Sequence, residues 1–239
     1  MSRQISKTPM RVPAGLNNTT NTIGLWRDFG AMDPTRFQDF KNDFLTYAAG
    51  DYTITQTGGS AALAAGSGGW LALTASTGGT DSIYMQHVAA SWAMEAGKRA
   101  WFETRFKLSA ITAGTAIIGL VATDTTPETN TDGIYFHKNV AGTGVVDFVV
   151  KGSSTATTAS TITTLAADTF VRLGFFYNGV DAIEYFVDGV KAGTSVSTNL
   201  PSANLTFTMG VAATTATARV LTIDYVAMAK ERLYANSPI

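Results

Sequence analysis

From Asp51 onward, hydrophobic and polar residues alternate with a period of two in one short segment after another. Tyr52-Thr53-Ile54-Thr55 alternates, and so does Trp70-Leu71-Ala72-Leu73-Thr74 between Gly68-Gly69 and Gly78-Gly79. Ser82–Gln86 follows. In Trp101–Leu108, Glu103, Arg105 and Lys107 fall on one face and Phe102, Thr104, Phe106 and Leu108 on the other. Alternation of this kind marks half-buried antiparallel strands. Ala116–Val121 is apolar throughout and reads as a central strand, and Ile134–His137, Val145–Lys151, Phe170–Tyr177, Ala182–Val187, Leu205–Val211 and Arg219–Met228 complete the set. Asp132-Gly133, Asn178-Gly179 and Asp188-Gly189 are tight-turn dipeptides between them. Gly58-Gly59 breaks a strand, and Ser153–Thr164 reads as threonine- and alanine-rich loop or strand edge.

Helical spacing occurs once. Asp33-Pro34 has the form of an N-cap followed by proline at the first helical position. Phe37, Phe40 and Phe44 follow at spacings of three and four, which predicts a short amphipathic helix plugging one end of the core. Residues 1–30 lack either period and carry Pro9, Pro13 and Gly15; they are expected to form an extended arm, with residues 31–239 as one domain. The fold class that follows is all-β, a two-sheet antiparallel sandwich preceded by an arm.

Composition narrows the chemistry. The chain has no cysteine, which removes disulfides, thiolate metal sites and cysteine nucleophiles. No apolar run reaches about 18 residues, so no membrane-spanning helix is expected, and no apolar h-region follows the basic residues at the start. Net charge is −1, with +4 on residues 1–27 and −5 on the rest. That balance argues against nucleic acid as a partner and for a basic arm docking on an acidic surface. The residues assigned to arm contacts are Arg3, Ile5, Lys7, Met10, Arg11, Val12, Leu16, Trp26 and Arg27, with Trp26, Phe29 and Phe37 anchoring the arm to its own sandwich.

No catalytic motif is recognisable. His87 and His137 are the only histidines, both are placed at strand ends, and neither has a metal-ligand spacing. Glu184 and Asp188 share a strand face, but four residues of extended chain separate them by about 13 Å, too far for a glycosidase pair. Asp188 also belongs to a turn. Glu103 and Arg105 read as a surface salt bridge. Loop acids Asp124, Glu128 and Asp132 could gather around calcium without matching a known calcium loop. Trp70, Trp92 and Tyr135 are the candidates for stacking on a sugar ring, against core packing as the commoner role of strand aromatics.

Five stretches, WFETRFKL, AIIGLVATD, DGIYFHK, FVRLGFFYNGVDAIEYFVDGVKAG and LTIDYVAMAKER, together resemble the concanavalin A-like, laminin-G-like jelly roll. With FQDFKNDFLTYAAGDYTIT and GGWLALT, the chain resembles such jelly rolls among structural proteins of tailed phages, notably capsid decoration (cement) proteins. The resemblance implies a virion protein made in the host cytoplasm that binds the major capsid protein on the outer capsid surface. It further implies a homo-oligomer, dimer or trimer, with no enzymatic activity and no cofactor or metal. The alternative is a carbohydrate-binding module of a virion fibre or cell-surface protein that takes a surface glycan.

Overall fold

The computed structural model describes Leu25, Trp26 and residues 36–140 and 143–232. Fifteen strands build two antiparallel sheets among the described residues. The eight-stranded sheet runs β13 (Val190–Val196), β12 (Ala182–Val187), β11 (Val171–Tyr177), β6 (Ala100–Leu108), β15 (Arg219–Glu231), β4 (Trp70–Ala75) and β3 (Gly59–Ala64). The first half of β15 pairs with β4, and its second half pairs with β1 (Phe37–Asn42). The seven-stranded sheet runs β10 (Thr155–Thr164), β9 (Val145–Gly152), β8 (Gly133–Lys138), β7 (Gly114–Ala122), β14 (Leu205–Ala213), β5 (Ser82–His87) and β2 (Tyr52–Thr57).

Alternation along the strands assigns each side chain to the space between the sheets or to an outer face. Phe102 and Phe175 of the larger sheet meet Phe207 and Phe148 of the smaller one in the core, with ring centroids 6.2 and 6.0 Å apart. Such offset and tilted pairs add to the area they bury. Leu71, Leu73, Ile83, Met85, Ile134, Leu173, Ile183, Met209, Leu221 and Ile223 are fully buried around them. Lys138 also points inward; its ammonium donates to the Gly114 carbonyl, and burial holds its pKa below the usual lysine range.

The predicted helix is a strand. Phe37 lies opposite Glu231 and Phe40 opposite Met228 in the β1–β15 pairing. Phe37 joins the outer cluster with Trp101, and Phe40 packs against the core. The three-residue spacing that reads as helical thus puts two rings on opposite faces of one strand, and the hydrogen-bond partner offered by β15 outweighs local propensity. Asp33-Pro34 and Phe29 lie outside the described residues. Three further strands escaped the pattern: β3, which begins at the supposed break Gly59, the threonine-rich β10, and β13. Asn178-Gly179 and Asp188-Gly189 do turn, with φ of +80° at both glycines and +50° at Asp188. Asp132-Gly133 is instead the entry to β8, where the buried Asp132 carboxylate accepts from the Ser202 amide at 3.1 Å.

Of the arm contacts assigned from sequence, Trp26 is described, and Arg3, Ile5, Lys7, Met10, Arg11, Val12, Leu16 and Arg27 lie outside the described residues. Leu25 and Trp26 are buried on the outer face of the eight-stranded sheet with Phe37, Trp101, Phe176, Phe186, Ala227 and Ala229. Gly174 makes room for them, since a Cβ there would collide with the Leu25 side chain. Truncating a buried aromatic of this size costs about 3 kcal/mol. Trp26→Ala is therefore expected to lower the unfolding free energy by that amount, read as a lower urea midpoint at unchanged m-value. A loss under about 0.5 kcal/mol, typical of surface positions, would contradict the anchoring.

Candidate functional site

The two outer faces differ in chemistry. On the eight-stranded sheet, charges are paired among themselves: Arg105 with Asp224 at 2.5 Å and Lys191 with Glu184 at 2.9 Å. Glu103 is 6% exposed, accepts from the Tyr225 hydroxyl at 2.7 Å and has Arg172 at 4.0 Å. Burial raises the Glu103 pKa, opposed by Tyr225, Arg172 and the Trp26 indole. Glu103 and Arg105 thus form no pair with each other, contrary to the sequence reading, because the bulge in β15 between Ile223 and Tyr225 brings separate partners to each. Asp188 accepts the Arg172 amide at 2.9 Å, and Glu184 is paired with Lys191, so each has its own structural partner.

Trp70 packs on Gly66, lies 5.1 Å from Phe170 and has the Lys107 ammonium 5.1 Å from its ring. Trp92 is buried in the core. Neither of these tryptophans presents a bare ring. His87 packs edge-on against Phe40 and Tyr52, and its Nδ1 accepts the Ala89 amide at 3.2 Å.

The outer face of the seven-stranded sheet carries a different set. Cross-strand register lines up Tyr84 (β5), Gly210 (β14), Ile117 (β7), His137 (β8) and Asp147 (β9) in one row. The neighbouring row is Gln86, Thr208, Gly119, Tyr135 and Val149. Tyr84 lies over Gly210 and Tyr135 over Gly119, where side chains would collide with the backbone or rings. Both rings are largely covered, at 7% and 5% exposed, and form an apolar floor with Ile117, Val121 and Val149.

The polar groups stand above this floor. The β7–β8 connection, through a 3-10 turn at Pro127–Thr129, sets the partly buried Glu128 beside Thr115 and Tyr84, both of which donate to its carboxylate. Asp147 accepts the Thr161 amide at 2.8 Å and the Asn139 side-chain amide at 3.2 Å. Between these carboxylates lies His137, edge-on to Tyr135 with centroids 6.5 Å apart. Its Nε2 is buried and has no hydrogen-bond partner among the described residues. Burial holds the imidazole pKa below its ordinary value; Glu128 and Asp147 oppose that shift and Lys138 adds to it. Burial, reinforced by Glu128, raises the Tyr84 hydroxyl pKa, and burial also raises that of Tyr135. The face therefore offers an imidazole that burial biases toward its uncharged form, two phenols and two acidic side chains.

His137, read from sequence as ending its strand, is followed in β8 only by Lys138 and lies partly exposed on the outer face of the sheet. Asp124, Glu128 and Asp132 do not converge: Asp124 accepts the Thr126 amide at 2.8 Å, and Asp132 is held by backbone amides. Among the described residues no three histidine or acidic side chains are grouped to hold a metal ion. The contacts of Glu128 with Tyr84 and Thr115 had no signal in the sequence, since they depend on how the β7–β8 connection folds back.

His137, whose folded pKa is depressed, contributes stability that is full above the ordinary imidazole pKa of 6.5 and is lost as pH falls below it. Its NMR titration midpoint is expected below 6.5, with stability falling on the acid side. A midpoint above that value would contradict this environment.

No protein-family model and no curated protein matches the chain. Solved structures do share its fold. A prokaryotic β-1,3-1,4-glucanase (lichenase) from a mouse hindgut metagenome is 13% identical with a TM-score of 0.60, covering 80% of this chain and 98% of its own. An endo-β-1,4-glucuronan lyase from the fungus Trichoderma reesei is 15% identical, with a TM-score of 0.56 and coverage of 79% and 94%. Peanut lectin is 11% identical, with a TM-score of 0.57 and coverage of 81% and 97%. The expectation that the chain is no enzyme is overturned by this finding, because the same sandwich serves a glucanase and a lyase, and the missing sequence motifs exclude nothing. Nothing in these comparisons points to a phage or a capsid. The chain is an all-β, concanavalin A-like jelly roll, the fold that these glucanases and lectins share.

Proposed function

We propose that the chain is a carbohydrate-binding domain and that the outer face of its seven-stranded sheet contacts the glycan. The observation that carries this reading is the unpartnered Nε2 of His137 between Glu128 and Asp147. A buried polar atom without a partner calls for one, and a sugar hydroxyl can serve either tautomer because it both donates and accepts. The Glu128 and Asp147 carboxylates beside it can accept from further ligand hydroxyls. Glycan binding is also the step that a glucanase, a polysaccharide lyase and a lectin have in common, so the fold supports it across all three.

The test is a glycan array probed with the full chain and with His137→Ala. Removing a hydrogen bond to a ligand hydroxyl costs about 1 kcal/mol or more, so the variant is expected to bind at least about fivefold more weakly while its urea unfolding stays cooperative. A folded variant that binds every recognised glycan as well as the natural chain would place the sugar elsewhere. A natural chain that binds no glycan would remove the proposal.

A further inference from the structure

The charge balance of this face goes further and concerns which glycans it accepts; the argument rests on the carbohydrate reading above. Two carboxylates, Glu128 and Asp147, stand beside His137. Both are held by neutral donors: the Thr115 and Tyr84 hydroxyls for Glu128, and the Thr161 and Asn139 amides for Asp147. Neutral donors stabilise the anions without cancelling their charge.

Cations are scarce on the same side among the described residues. Strands β2, β5, β7, β10 and β14 contain no lysine or arginine. Lys138 of β8 turns inward to the Gly114 carbonyl. Lys151 of β9 alternates onto the outer face, opposite Gly133, but four residues of extended strand put it about 13 Å from Asp147. Burial biases the imidazole between the carboxylates toward its uncharged form. The opposite face of the sandwich, by contrast, pairs its acids with arginine and lysine.

We infer that this face selects uncharged, hydroxyl-bearing glycans and rejects those carrying uronate or sulfate groups. A ligand carboxylate brought alongside His137 would meet two negative charges with no facing cation among the described residues. At several ångströms in a partly screened site, that repulsion weakens binding by about tenfold. The fold itself does not decide the matter, since it is shared by a glucanase and a glucuronan lyase. The side chains of this chain do.

The experiment measures binding of the full chain, at low salt, to an immobilised panel that pairs neutral glycans with their uronate and sulfated counterparts. Asp147→Asn, which keeps an acceptor for the Thr161 amide, and Glu128→Gln are measured alongside, each after its cooperative unfolding has been checked. Binding confined to the neutral members by about tenfold or more, with the gap narrowed in either folded variant, is the expected result. Equal or tighter binding of the anionic members would overturn the selectivity while leaving the carbohydrate reading in place. A gap unchanged in both variants would also overturn it, since the two carboxylates would then not be its source. If no member of either class binds, the carbohydrate reading fails and this inference falls with it.

Discussion

Contact between phenylalanines across the two sheets is the constraint on which the rest of the molecule depends. Phe102 stacks on Phe175 within the larger sheet, and these rings meet Phe207 and Phe148 of the smaller one. Alternation is absolute in a strand, so fixing these rings inward fixes every second residue outward. Glu103 and Arg105 on β6, Arg172 and Phe176 on β11, and Asp147 and Val149 on β9 follow from that choice. A one-residue slip in any of these strands would move a charge into the core.

The outer faces then meet different physical demands. The larger sheet presents Trp101, Phe176 and Phe186 outward and covers them with Leu25 and Trp26, while its charges find partners nearby. On this face the buried Glu103 carboxyl has Tyr225 and Arg172 against it. The smaller sheet lays Tyr84 and Tyr135 flat over glycines and leaves His137 with a buried, unpartnered nitrogen between two acids. An imidazole beside two acids held by neutral donors, rather than acids paired with arginine and lysine, distinguishes this face from the other.

The sandwich was legible in the sequence because period-two alternation survives wherever a strand has one face in the core. It failed where that condition fails. The edge strands β10 and β13 carry small and polar residues on both sides, and β1 owes its state to pairing with β15 rather than to its own spacing. Phe37 and Phe40 look helical in sequence and are resolved only by a partner that arrives at the far end of the chain. His137 was visible as a residue but not as a site. Its meaning comes from Asp147 across the β8–β9 pairing and from Glu128, brought over the sheet by the β7–β8 connection. Sequence resemblance identified the jelly roll correctly, whereas the virion role attached to that resemblance draws no support from the structures that share the fold.

The two histidines make the central claim directly measurable, because one lies beside Glu128 and Asp147 and the other packs against Phe40 and Tyr52. The measurement is a histidine carbon–proton NMR spectrum of the full chain, recorded while a glycan that it binds is added. The account predicts that the His137 ring signal moves in a saturable way as binding proceeds and that the His87 signal stays in place. Movement of His87 alone, or of neither ring at saturation, would contradict the assignment of the glycan to the outer face of the seven-stranded sheet.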